Sequence, residues 1–197
     1  MPWYLIGLVE RDPLDGAGID QALTRIAREI VARARGGELV LVGIRTAGVP
    51  LSARLADRLS AAGQPRPQLG AIDITLYRDD AATALPRPEV GETKIPGATL
   101  EGRRVILVDD VLFTGRTIRA ALDALMDYGR PRAVELCVLV DRGHRELPIH
   151  ADYVGIRLDT RPEDEVRVHL AELGGEHGGP DRVELIATAP AEAEHGP

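Results

Sequence analysis

The 197-residue chain predicts an α/β fold, a central and mostly parallel β-sheet flanked by helices. Three observations carry that expectation. Apolar runs without polar alternation recur at 39–44, 105–108 and 134–140, the pattern of strands buried on both faces of a parallel sheet. Each run ends in a short polar turn: Arg45-Thr46-Ala47-Gly48, Asp109-Asp110 leading to Thr114-Gly115-Arg116-Thr117, and Asp141-Arg142-Gly143-His144-Arg145. The first two turns open amphipathic helical stretches. Such units in one sheet place their turns along the carboxyl ends of the strands, where open α/β folds bind ligands.

The elements follow in order. Residues 1–14 hold an apolar stretch at 3–9 broken by Pro13, read as an edge strand or a docked arm. A helix is expected over about 18–35, with Ile19, Leu23, Ile26 and Ile30 on one side and Thr24, Arg25, Arg28 and Arg35 on the other. Gly36-Gly37 ends it. After strand 39–44, a helix over about 49–61 presents Leu51, Leu55 and Leu59. Residues 69–76 are strand-like. From there to Gly102 periodicity is lost among prolines and charges, as expected of a lid flanking a site. The strand at 105–108 is expected to end at the two aspartates. A helix follows, with Ile118, Ala121, Leu122 and Leu125 on one face, stopped by Gly129 and Pro131. Beyond 134–140, short strands are expected at 153–156, 165–170 and 182–186, with a glycine-rich turn at 174–180. The whole reads as a single domain over 1–188, followed by a small, polar, disordered tail at 189–197.

Composition narrows the function. With 44% hydrophobic but only 3% aromatic residues, the core must be aliphatic. No apolar run approaches a membrane span and no signal layout opens the chain, so it is expected to be soluble and cytoplasmic, without a membrane partner. The single cysteine, Cys137, lies in an apolar run and reads as a buried thiol. The net charge of −7 argues against a wholly nucleic-acid-coated surface but allows a local basic face. Lys94 is the only lysine among 24 basic residues and sits in no phosphate-binding or Schiff-base motif.

The chemistry concentrates at 105–117, VILVDDVLFTGRT. A Walker B strand looks similar, but GxxxxGK[ST] is absent. A phosphoacceptor aspartate would want a lysine on a later strand, and none exists there. A turn of threonines and glycine at a helix start offers backbone N–H groups to a phosphate monoester, and adjacent carboxylates suit a vicinal diol. A ribose 5-phosphate meets both demands. No dedicated metal site is expected from one acidic pair.

This stretch resembles the 5-phosphoribosyl-1-diphosphate (PRPP) signature of type I phosphoribosyltransferases. ALTRIARE, LVGIRTAG, IDITLYRDD, GRP and VLVDRGHRELPIHADYVG extend the resemblance over about residues 19–170, to the branch of pyrimidine-operon attenuation regulators (PyrR) that are also uracil phosphoribosyltransferases. The resemblance implies the type I phosphoribosyltransferase fold, with a lid at about 77–102 and a small hood at about 141–188. It implies that Asp109 and Asp110 form the catalytic pair on the ribose hydroxyls, and that Thr114, Gly115, Arg116 and Thr117 cradle the 5-phosphate. Val111, Leu112 and Phe113 complete that substrate-binding segment. Arg45 and Thr46 form the pyrophosphate loop, often with a strained peptide bond. Arg78 and Arg87 reach the pyrophosphate from the lid, and Arg142 and Val166 cover the uracil. Mg²⁺ arrives with PRPP. An RNA face is implied at Thr24, Arg25, Arg28, His144 and Arg145, binding operon leader mRNA with UMP or other uridine nucleotides as co-regulators, in a homodimer or higher oligomer. The sequence departs from the branch at Ala47, where arginine is common, and at His150, Ile156-Arg157 and Asp159-Thr160. Two narrower readings stay open: a nucleotide-binding regulator with negligible catalysis, and a phosphoribosyltransferase without RNA binding.

Overall fold

The computed structural model describes residues 8–33, 38–77 and 91–188. Five strands form one parallel sheet: β2 (Leu39–Ile44), β3 (Gln68–Ile72), β4 (Arg104–Leu112), β5 (Ala133–Asp141) and β6 (Tyr153–Arg157), in the order β3-β2-β4-β5-β6. The chain moves outward from β2 to β3, then crosses back over β2 to β4 and continues the other way. The reversal between β2 and β4 is the topological switch point, and it puts their carboxyl-terminal loops side by side.

Both faces of this sheet are covered, as the unbroken apolar runs require. Ile106 and Val108 point to one face with helix α1 (Gly16–Ala32) and helix α2 (Gly48–Ala61). Val105 and Leu107 point to the other, packed against helix α3 (Arg116–Met126). Alternation of side chains along a strand sorts them. The expected apolar faces are the buried ones: Ile19, Leu23, Ile26 and Ile30 of α1, Leu51, Leu55 and Leu59 of α2, and Ile118, Ala121 and Leu125 of α3. Helix α1 starts earlier than its apolar period indicates because the Asp15 side chain accepts the Gly18 N–H at 2.8 Å, an N-cap worth about 1 kcal/mol. Cys137 is a buried core thiol, its pKa pushed up to about 12 by burial.

The second sheet differs from expectation. β1 (Leu8–Asp15), β7 (Glu165–His169) and β8 (Arg182–Thr188) form an antiparallel sheet in the order β1-β8-β7. The hood therefore draws on the amino-terminal strand as well as the carboxyl-terminal third. Pro13 lies where the β1–β8 register shifts, between Arg11 and Leu14, because proline cannot donate to the ladder. Conversely, β6 leaves the 141–188 span expected for the hood and pairs with β5, from Cys137 opposite Tyr153 to Asp141 opposite Arg157. Two further boundaries move. β4 runs through both aspartates to Leu112, because pairing continues from Asp109 opposite Val138 to Leu112 opposite Asp141. β3 stops at Ile72, and Thr75–Tyr77 form a 3₁₀ turn. Arg35, Gly36-Gly37, residues 1–7, most of the expected lid and the tail at 189–197 lie outside the described residues.

Candidate active site

Two loops meet at the switch point. The first, residues 45–48 after β2, contains a cis peptide bond between Arg45 and Thr46. Its approach to β4 depends on glycine: a Cβ on Gly48 would stand 2.2 Å from the Val108 carbonyl oxygen, and one on Gly43 would stand 2.4 Å from the Gly48 oxygen. The loop is thus seated on β4 one residue before the acidic pair. Arg45 and Thr46 are exposed, whereas Ala47 is 7% exposed and belongs to the core. The position that departs from the branch pattern therefore packs inward here.

The second loop carries the acidic pair and the turn. Successive strand residues face opposite sides, so Asp109 is buried while Asp110 is half-buried with Oδ1 accepting the Val111 N–H at 2.9 Å. Burial, with the neighbouring Asp110 charge, drives the Asp109 carboxyl well above the ordinary range. A cation or hydroxyl donor placed here would relieve that penalty.

The turn is shaped to receive an anion. Gly115, the N-cap of α3, adopts φ +94° and offers no side-chain cap, while the Arg116 N–H makes a long 3.4 Å contact to Thr114 Oγ1 at the mouth of the helix. The carbonyl side of the same turn is held from behind. The N–H groups of Glu146 and Leu147 donate to the Thr114 oxygen at 3.0 and 3.2 Å. The Arg145 Nη1 donates to the carbonyls of Phe113 (2.7 Å) and Leu112 (3.3 Å), and Nη2 to Asp141 Oδ1 (2.5 Å). Arg116 Nε donates to Glu146 Oε2 at 2.7 Å. Thr114 and Thr117 are half-buried beside them.

The hood side is built on Phe113. The Arg142 guanidinium stacks 4.1 Å from its ring centroid, and His144 meets the ring edge-on at 5.9 Å. Burial lowers the Arg142 pKa, and Nη2 donates to the Arg161 oxygen at 2.7 Å, while Nε is buried without a partner. Val166, on β7, is half-buried.

The residues expected at an RNA face separate. Arg28 is exposed. Arg25 is exposed as well, with its guanidinium donating to the Gly155 (2.5 Å) and Val154 (3.0 Å) oxygens and to Glu29 (2.8 Å). The Thr24 hydroxyl donates to the Asp20 oxygen at 2.8 Å. His144 Nε2 lies 2.7 Å from the Thr160 oxygen. Arg145 is the sharpest departure, since its guanidinium is spent on the phosphate turn. Arg78 and Arg87 lie outside the described residues. Asp73, Gly91 and Asp141, which hold the two loops, were not picked out as site residues: Asp73 and Asp141 lie inside the matching segments and Gly91 inside the expected lid, but nothing local shows which backbone groups they hold.

A carboxylate pair, a helix start without a side-chain cap and a facing loop thus meet at the switch point. Residues 14–172 match the model of the phosphoribosyl transferase domain. Among curated proteins, the bifunctional protein PyrR of Pelotomaculum thermopropionicum is 53% identical over 177 residues, 89% of this chain and 95% of that one. That of Streptomyces coelicolor is 58% identical over 166 residues, covering 84% and 86%. The chain belongs to the phosphoribosyltransferase family, in its PyrR branch. Solved structures agree on the fold: the hypoxanthine phosphoribosyltransferase of Trypanosoma cruzi superposes with TM-score 0.68 at 17% identity over 90% of this chain and 97% of that one. The hypoxanthine-guanine phosphoribosyltransferase of Bacillus anthracis gives 0.68 at 17% identity over 91% and 99%.

Proposed function

We propose that the chain joins uracil to PRPP, releasing diphosphate and forming UMP, and that the same site, filled by a uridine nucleotide, governs binding to pyrimidine-operon leader mRNA for transcription attenuation. The observation that carries this reading is the joining of the Asp109–Asp110 pair, the uncapped start of α3 and the Arg45–Thr46 loop at one switch point.

The chemistry follows from these positions. The bond from the anomeric carbon to the diphosphate oxygen breaks as the carbon bonds to N1 of uracil, and the N1 proton is released. Positive charge grows on the ribose ring and negative charge on the diphosphate. Asp110 and Asp109 hold the ribose hydroxyls beneath the first, and Arg45 binds the diphosphate, which is already highly charged in PRPP before the bond breaks. The 5-phosphate sits on the N–H groups that follow Gly115, beside the Thr114 and Thr117 hydroxyls. Arg142, stacked on Phe113, and Val166 border the base. The two aspartates are hard oxygen donors but too few to cage an ion, which fits Mg²⁺ arriving on PRPP. That ion, when bound, offsets diphosphate charge.

For the regulatory half, Arg25, Arg28 and His144 are the proposed RNA contacts, because they stand on the surface. Thr24 and Arg145, both half-buried, support them. Arginine suits phosphates and splayed bases. The protein is proposed to act in the cytoplasm as a homodimer or larger homo-oligomer.

The test is UMP formation from uracil and PRPP with Mg²⁺, followed chromatographically. The wild-type protein is expected to form UMP, and Asp110→Asn to lower kcat/KM by on the order of 100-fold. A wild-type protein that makes no UMP sinks the enzymatic half.

A further inference from the structure

Arg45 is the charged side chain of the pyrophosphate loop, and an exposed guanidinium acts on a diphosphate only if something aims it. Its backbone N–H donates to the Ile72 oxygen at 3.0 Å, and its Nε–H to the Glu92 oxygen at 2.9 Å. That carbonyl is itself fixed. The N–H of Gly91, the preceding residue, donates to Asp73 Oδ2 at 2.7 Å, while Asp73 Oδ1 accepts the Thr75 N–H at 2.8 Å. The Asp73 N–H donates to Thr93 Oγ1 at 3.0 Å. Ala71 and Lys94 exchange two backbone hydrogen bonds, both 2.8 Å, which lock the register of the returning strand. The stack closes sterically as well: a Cβ on Gly91 would lie 2.5 Å from Asp73 Oδ2 and 2.9 Å from Arg45 Cδ. Only glycine lets the Asp73 carboxylate and the Arg45 side chain close on residue 91 together. Among the described residues Arg45 makes no other side-chain hydrogen bond, and its charge helps hold the Asp73 carboxyl below its ordinary range.

We propose that Asp73 and Gly91 are positioning residues for the phosphoribosyl transfer, holding the Arg45 guanidinium at the diphosphate end of the site. The proposal rests on the reading of the site as a PRPP site. Neither residue touches substrate; both act through Arg45. Binding of the diphosphate before and during bond breaking makes the contribution uniform, so its loss appears in KM.

In Asp73→Asn, whichever way the amide turns, its NH₂ meets one of the two backbone N–H donors. The KM for PRPP is expected to rise about tenfold, with kcat and the KM for uracil changed less than about twofold. Arg45→Ala should raise the PRPP KM at least as much, and the double variant should be no worse than Arg45→Ala alone. A role in stability only would leave the two effects additive. Gly91→Ala supplies a second route to the same KM shift should Asp73→Asn fold poorly. An unchanged PRPP KM in the folded variants, or additive effects in the double variant, overturns the proposal. A wild-type protein that makes no UMP overturns instead the reading beneath it.

Discussion

At the scale of single residues, the site depends on how closely two loops approach. Asp109 and Asp110 are neighbours in sequence but occupy different surroundings, one buried and one half-buried, since a strand turns alternate residues to opposite faces. The buried one resists ionisation through burial and then through its neighbour's charge, a penalty that a bound cationic or hydroxyl-bearing ligand reduces. Gly48 sets the distance between the loops. With 2.2 Å between a hypothetical Cβ and the Val108 oxygen, backbone must shift to admit a methyl group. Gly48→Ala is expected to cost about 1–3 kcal/mol in unfolding free energy and to lower PRPP turnover more than tenfold. Thermal unfolding and steady-state kinetics measure the two effects, and a variant with wild-type kcat/KM would show that the loop tolerates displacement.

At the scale of elements, the hood is fastened to the parallel domain by ion pairs around Arg54 of α2. Its Nε and Nη2 donate to Glu172 at 2.8 and 2.5 Å, and Nη1 and Nη2 to Asp181 at 2.5 and 3.0 Å. Asp181 also accepts the Ala171 N–H at 2.8 Å. Hydrogen bonding to Arg54 holds both carboxyls below their ordinary range, against burial that pushes them up. Carboxyls with depressed folded-state pKa values stabilise the fold fully above their unfolded values, and that contribution fades as the pH falls through the lowered ones. Arg54→Ala should cost about 1–2 kcal/mol at neutral pH, discounted for partial exposure, or roughly 2–8 °C in Tm. The deficit should narrow below about pH 4; a deficit independent of pH would assign it to lost packing.

The same scale shows what could be read from the sequence. Strands β2, β4 and β5 were legible because burial on both faces leaves no polar interruption, and the three helices because their apolar positions recur at helical spacing. The hood was not, since its strands are short and β1 and β8 pair across almost the whole chain, from Leu8 opposite Thr188 to Asp15 opposite Arg182. No local pattern encodes such a partner. In the site, the phosphate turn and the acidic pair are contiguous and were readable. Arg145 was expected to face RNA, but three-dimensional proximity gives its guanidinium to the Leu112 and Phe113 carbonyls and Asp141. Asp73, within IDITLYRDD, and Gly91, within the expected lid, are remote from the 105–117 stretch, and no local pattern shows that they meet at Arg45.

For the whole molecule, the 141–149 segment connects two surfaces. Arg145, Glu146 and Leu147 brace the 114–117 turn, while His144 stands exposed beside Phe113. A nucleotide that settles the turn also settles the loop bearing a proposed RNA contact, which gives a physical route from ligand to RNA affinity. Among the described residues no helix is long and apolar enough to cross a membrane. The central claim is that one site serves both as catalyst and as sensor. It is tested most directly by the affinity for a pyrimidine-operon leader hairpin, measured by fluorescence anisotropy at fixed salt with and without UMP. The wild-type protein is expected to bind more tightly with UMP, and Asp110→Asn to keep its nucleotide-free affinity while losing that gain. RNA affinity indifferent to UMP in the wild-type protein would contradict the account.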